Sequence, residues 1–346
     1  MRYRYLKAVP VILLGIGLAT GCSEKKKAPA PAEAKPVAAA PAEAPKPKEP
    51  AVELKVTLEA GKRYLLREES ISETPLKLPN QPEPVKSTTT TARELALTIL
   101  SQKPEGGQEI EVEFVANKVE SKMGDRVVAA FNSADDPKTD RTNALAKLNR
   151  KIVGGKFNYT TDAAGHVDKV EGVSNLVRKI TLGLDKNSST MLKAQFNEES
   201  VKKMGLMAEG LPKQAVAPGD AWTNTFEMPI MGGMVAKFTI QSSLKGYEER
   251  DKKRCAIIKN TGTAQVSAGT TPQAAAVQFE NVKLDGETVL DPEKSMLVSA
   301  NNSISLDMKV NAGAQPNVVS MNIKSVRTLV SITDAKPAEA KPTTKP

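Results

Sequence analysis

The feature that most constrains this chain is a strict alternation of apolar and polar side chains that recurs at widely separated places. Ile110, Val112 and Phe114 share one parity, while Glu109, Glu111 and Glu113 take the other. Ile304, Leu306, Met308 and Val310 alternate with Ser305, Asp307 and Lys309. Ala236, Phe238, Ile240 and Leu244 fall opposite Lys237, Thr239 and Gln241, and Leu95, Leu97 and Ile99 form a similar set. Successive side chains of a strand point to opposite faces, so this pattern means antiparallel strands with one buried and one wet face. Towards the C-terminus the phase changes. Met321 and Ile323 hold one parity and Val326, Val330 and Ile332 the other, which predicts a bulge near Ser325.

Turn residues separate the runs. Pro104–Gly107, Asp162–Gly165 and Asp291–Lys294 predict hairpins. The middle of the chain changes period. Ala144, Leu145, Leu148 and Ile152 have helical spacing within 139–153, and residues 173–184 lean helical. Asn197 followed by Glu198 and Glu199 reads as a helix start, with Val201, Met204, Ala208 and Leu211 behind it and Pro212 as the stop. The fold class is therefore α+β, mainly antiparallel β with curved sheets, and with helices near 139–153 and 185–211. Residues 51–333 are long for one core, so two β lobes sharing the central helices stand beside a single body. A short echo links the halves: Gly61 precedes Tyr64, and Gly219 precedes Trp222, at the same interval.

Charge narrows the partners. The chain carries +9 overall. Residues 1–21 supply +3, residues 22–50 supply +2 and residues 334–346 supply +1, which leaves +3 for 51–333. A nucleic-acid footprint needs a dense basic face on the folded part, and the body shows only short clusters such as Arg250 with Lys252, Lys253 and Arg254. No nucleic-acid partner is expected.

Met1 to Lys7 is basic, Ala8 to Ala19 is apolar, and Thr20-Gly21-Cys22 is small. This is the layout of a secretory signal, with an apolar run shorter than the roughly 20 residues of a membrane span. Leu18-Ala19-Thr20-Gly21-Cys22 resembles the lipobox of bacterial lipoproteins. That resemblance implies a signal peptide over 1–21, removed before Cys22, and a membrane anchor through acyl chains, palmitate among them, on that cysteine. Ser23 stands where Asp commonly retains such proteins in the inner membrane, so the resemblance favours the outer membrane in a host with two membranes. Residues 23–50 hold nine Ala, seven Pro, six Lys and four Glu, a composition for an extended tether. Residues 334–346 repeat that composition and read as a disordered tail.

With that leader and tether, Gly219-Asp220-Ala221-Trp222 ahead of a strand-rich half resembles an uncharacterised bacterial lipoprotein family known only as a domain of unknown function. The resemblance implies an extracytoplasmic place in the cell envelope, the periplasm included. It implies no known activity.

Chemistry-bearing residues are few. One His and two Cys cannot supply a zinc cluster, so no metal of that kind and no cofactor is expected. His166 sits in a turn without a nucleophile elbow nearby. Ser200 to Lys203 and Ser299 to Asn301 match two of the three elements of penicillin-binding enzymes, and the third is missing. Cys255 reads as a buried thiol, with an interchain disulfide as the alternative. Six of the eleven Met lie between 191 and 234. Met228, Met231 and Met234 make a weak Cu(I) candidate, against the plainer reading of an adaptable core filler. Met204, Met207 and Leu211 over a curved sheet could enclose an acyl chain.

The expectation is a membrane-anchored, non-enzymatic binding or structural module whose partners are the membrane and a cell-wall or envelope protein. The alternative is a carrier of lipid or another apolar ligand in a β half-barrel, and the third reading is a hydrolase.

Overall fold

The computed structural model describes residues 49–76, 83–142, 144–163, 165, 167–203, 210–229, 234–268, 276–310 and 317–335. Cys22 and residues 23–48 of the expected tether, His166, Met204, Met207, Met231 and residues 336–346 lie outside them. The first half runs β1 (Lys62–Leu76), β2 (Val85–Gln102), β3 (Gln108–Met123), β4 (Arg126–Asn132), a 3-10 turn (Pro137–Thr142), α1 (Ala144–Ile152), β5 (Lys156–Thr161) and β6 (Val167–Glu171). Three helices follow: α2 (Val173–Thr181), α3 (Lys186–Gln195) and α4 (Glu198–Lys203). The second half is a plain meander of β7 (Ala221–Pro229), β8 (Val235–Arg250), β9 (Lys253–Val266), β10 (Val277–Asp291), β11 (Met296–Val310) and β12 (Asn317–Asp334).

All strands belong to one antiparallel, 12-stranded sheet in the order β6-β5-β3-β2-β1-β12-β11-β10-β9-β8-β7, with β4 paired to β3 off that path. The two halves are thus not separate lobes: β1 pairs with β12 from Lys62↔Asp334 to Glu73↔Asn322, joining them edge to edge. The three predicted turns each join neighbouring strands, as at Asp291, whose Oδ1 accepts a hydrogen bond from Lys294 N at 3.0 Å. Gly61 and Gly219 both take left-handed backbone angles, φ 75° and 96°, immediately before β1 and β7. The echo in the sequence marks equivalent starts of the two meanders.

The edge strands β6 and β7 are consecutive in the chain, and α4 packs against both. The sheet therefore curls until its two edges flank one helix. Unpaired edges are liabilities that proteins cover. Here Lys202 Nζ on α4 donates to Asp168 O of β6 at 2.6 Å. On the other side Trp222 Nε1 and Asn224 Nδ2 of β7 donate to Gly210 O at 2.7 and 2.9 Å. Tyr159 Oη holds the helix from within, donating to Val201 O at 2.6 Å.

The concave face of the first half is filled by the helices. Val173, Leu176 and Ile180 of α2, Leu192, Phe196 and Val201 pack on Leu97, Ile110, Val112 and Phe157 in one buried cluster. Phe114 meets the Phe196 ring edge-on at 6.0 Å. Each such fully buried side chain is worth about 1.5–3 kcal/mol of transfer free energy. Arg150 ties α1 down, with its Nε 2.7 Å from Asp140 Oδ2 and its guanidinium over the Phe131 ring. Below β8–β10, a strap at 49–58 closes the core: Val52 bridges to Val216, Leu54 packs on Leu244, Ile258 and Leu290, and Leu58 joins the helix-covered cluster.

The bulge predicted near Ser325 is absent. β11 and β12 pair without a shift from Ser299↔Thr328 to Val310↔Asn317. The irregularity falls at Val330 instead, where Leu65 faces Ser331 and Leu66 faces Leu329. Val326 and Val330 are exposed residues of the outer face. The inner face carries Ser325 and Arg327 where apolar residues were expected.

Candidate functional site

Ser325 and Arg327 are part of a polar row that crosses the concave face from β3 to β8. Register places its members side by side: Asn117↔Arg93, Arg93↔Glu68 and Glu68↔Arg327. One step along the strands, Ser70↔Ser325, Ser325↔Asn302, Asn302↔Gly286, Gly286↔Asn260 and Asn260↔Ser242 continue it. Glu68, Ser70, Arg93, Asn117, Ser242, Asn260, Asn302 and Ser325 are all buried. Asn117 Nδ2 donates to Asn149 Oδ1 of α1 at 2.6 Å, and Asn260 Nδ2 donates to Thr288 Oγ1 at 2.9 Å. Gly286 is required by this packing. A Cβ there would lie 2.5 Å from Asn302 Oδ1 and 2.8 Å from Asn301 O.

The centre of the row is charged. Glu68 pairs with Arg93, and Arg327 Nη2 lies 3.5 Å from Glu68 Oε1. Burial alone would push the Glu68 carboxyl up, but the charges and hydrogen bonds of Arg93 and Arg327 outweigh it and hold it below its ordinary 4.5. The carboxylate is ionised, and among the described residues it faces two guanidinia in the floor of the concave face. Among the described residues, Arg327 Nε and Ser242 Oγ are buried without a hydrogen-bond partner.

The row divides two apolar regions. On one side is the helix- and strap-covered core. On the other, towards the ends of β9 to β12 at Val266, Val277, Val310 and Asn317, lies a second apolar face. Ala236, Phe238, Ile240, Val282 and Leu284 form its buried base, and Phe226, Phe279, Ile304 and Leu306 lie partly buried around it. Phe226 and Phe238 stack at 5.1 Å between ring centroids. None of the described helices enters this cluster. A second concavity, a surface cleft of about 580 Å³, lies between α2 and the α3–α4 region and is lined by Val173, Val177, Arg178, Lys193 and Glu198 among others.

Met234 is buried, Met231 lies outside the described residues, and of Met228 only the backbone, in β7, is described. Ser200 and Lys203 lie on α4, while Ser299 and Asn301 lie on the convex side of β11, so the two elements are not brought together. Cys255 is a free, fully buried thiol against Ile257 and Val289, and burial raises its pKa. Among the described residues no group of three or more His, Cys, Asp or Glu could hold a metal ion. The residues missed by sequence reasoning are those of the polar row. Their signal was present as an interruption: Ala236, Phe238, Ile240 and Leu244 skip position 242.

No curated protein matches this chain. Among solved structures, a lipovitellin described for its lipid–protein interactions aligns at 9% identity and TM-score 0.42, over 82% of this chain and 26% of that one. This chain thus spans about a quarter of the lipovitellin chain's length. An exported protein with a YmcC-like fold from Bacteroides fragilis aligns at 10% identity and TM-score 0.25, over 81% of this chain and 99% of that one. DynF from the dynemicin biosynthesis pathway of Micromonospora chersina aligns at 8% identity and TM-score 0.20, over 86% and 95%. A family model matches residues 105–291, more than half of the sequence, and by that match the chain belongs to the family of unknown function DUF6263.

Proposed function

We propose that this protein is a non-enzymatic binding module of the cell envelope, anchored through acyl chains on Cys22, that holds an apolar ligand on the open end of its concave sheet. The observation that carries the reading is the contrast across the polar row. On one side the concave face is filled by α2, α3 and α4. On the other, Phe226, Phe279, Ile304 and Leu306 remain only partly buried around an apolar base. Binding sites for small apolar molecules are concave, mostly apolar and bordered by a few placed polar groups. This supports the ligand-carrier reading over a purely structural one.

Native mass spectrometry of the protein isolated from a bacterial envelope tests it. A co-purifying mass of lipid size, lost on substitution of Ile304 by Ser, is the expected result. A bare polypeptide mass, together with no uptake of added long-chain alcohol, sinks the reading. The anchor has a separate test: Cys22→Ser should abolish incorporation of radiolabelled palmitate and release the protein from membranes.

A further inference from the structure

We propose that the charged centre of the polar row, Arg327 with Arg93, is the head-group site for a single-chain amphiphile bearing an anionic oxyanion, a carboxylate or a phosphate monoester. The inference rests on the reading of the open apolar face as a ligand site and names the ligand class for it.

The argument is one of position and charge. Among the described residues one carboxylate, Glu68, serves two guanidinia, Arg93 beside it and Arg327 at 3.5 Å. Removing ionic groups from water is costly, and a buried pair commonly contributes less than apolar residues of the same volume would. Of the two guanidinia, Arg327 makes the longer contact to the carboxylate. Arg327 Nε is buried with no partner among the described residues, although a guanidinium presents its donors as a fork suited to carboxylate or phosphate. The side chain of Arg327 keeps 15% of its surface, against 4% for Glu68, so an entering anion reaches Arg327 first. Beyond the neighbouring Ser325–Asn302 pair, the apolar face runs along β10, β11 and β12 through Leu284, Ile304, Leu306 and Met321. Between Asn302 and Val310 the strand covers on the order of 25 Å at about 3.3 Å per residue, room for an extended long alkyl chain. A head at Arg327 and a tail along β11 uses both features with one molecule.

The test titrates the full chain with hexadecanoic acid, hexadecyl phosphate and hexadecanol, followed by calorimetry. The acid, the phosphate or both should bind about tenfold or more tighter than the alcohol, the effect of a charge-assisted hydrogen bond. Whichever anion is preferred identifies the head. Arg327→Gln should erase the preference while leaving alcohol binding in place, and Arg327→Lys should restore part of it. Equal binding of all three compounds by the unsubstituted protein overturns the head-group site and leaves the apolar-ligand reading standing. Failure of all three to bind overturns both. A preference that survives Arg327→Gln and Arg93→Gln in folded protein, checked by thermal melting, also overturns the proposal.

Discussion

The two halves of the sheet are the same device finished differently. Each opens with a left-handed glycine and an aromatic residue, Gly61 with Tyr64 and Gly219 with Trp222, and each is a meander of strands. The first half invests its concave face in internal packing. Its β4–β5 connection carries α1, and the helices after β6 bring Leu176, Ile180 and Phe196 down onto β3 and β5. Among the described residues, no helix lies between the strands of the second half. Its concave face is closed at one end by Leu54 of the strap and left partly exposed at the other. What differs is the covering layer, not the sheet. The difference teaches that a β meander with alternating side chains does not by itself settle what occupies its inner face, which the connections decide.

The sharpest way to break this comparison is a matched pair of truncations. Phe196→Ala removes a fully buried ring that touches Phe114, and should cost about 3–5 kcal/mol in urea unfolding. Phe226→Ala removes a partly buried ring stacked on Phe238, and should cost about 1–2 kcal/mol because that ring keeps part of its surface in solvent and forfeits less burial. Equal losses would mean that both faces are packed alike.

The charged centre should be nearly as sensitive. Glu68→Gln leaves the buried guanidinia of Arg93 and Arg327 without their carboxylate, and should cost on the order of 3 kcal/mol. The same group gives a pH signature. The native pKa of Glu68 lies below its unfolded value, so between the two the unfolded chain binds more protons. Its contribution is complete above the ordinary value of 4.5 and is lost as pH falls through the lowered native value. Acid unfolding followed between pH 6 and pH 3 (assay values, about this window) should show a shallower loss in Glu68→Gln than in the unsubstituted protein. Parallel curves would remove Glu68 from the account.

How much of this was legible in the sequence depends on distance along the chain. Alternation at Ile110–Phe114 and Ile304–Val310 displayed β3 and β11 directly, and the turn residues at Pro104–Gly107 displayed their hairpin, because these are local properties. The pairing of β1 with β12 joins residues far apart in the chain, as Lys62 Nζ and Asp334 Oδ1, 272 positions apart, show at 2.8 Å, and no local pattern encodes it. The closure by α4 is hidden for the same reason. The polar row was half visible. Its residues sit where each strand's apolar parity fails: Ser242 after Ile240, Glu68 after Leu66, Arg93 before Leu95. A break in one strand reads as a bulge. Only register shows that the breaks align.

Alignment at one position can be tested with a smaller perturbation. Gly286 lets Asn302 lie over the β10 backbone, and a Cβ added there would meet Asn302 Oδ1 at 2.5 Å. Gly286→Ala should therefore cost about 1–3 kcal/mol, the usual range for overpacking. Asn302→Ala in the same background removes the obstructing amide and should recover part of that loss. Additive losses would mean that Asn302 does not occupy the space over Gly286, and the row would be a set of independent sites.

The smallest expected effect on folding separates a ligand face from a core most cleanly. Leu306 lies on β11 opposite Met321, partly buried, in the face not covered by a described helix. In a completed core Leu to a smaller residue costs about 2–5 kcal/mol, because the neighbours cannot follow the lost atoms. On a face that waits for a ligand the residue keeps part of its surface in water, so Leu306→Ser should cost about 1 kcal/mol of stability in ligand-free protein. The same substitution places a hydroxyl in the path of an alkyl chain and should weaken hexadecanol binding about tenfold, since an apolar partner leaves that hydroxyl unsatisfied at about 1–3 kcal/mol. A large loss of stability with unchanged binding would assign Leu306 to the core, and the open half would then be closed by the protein itself.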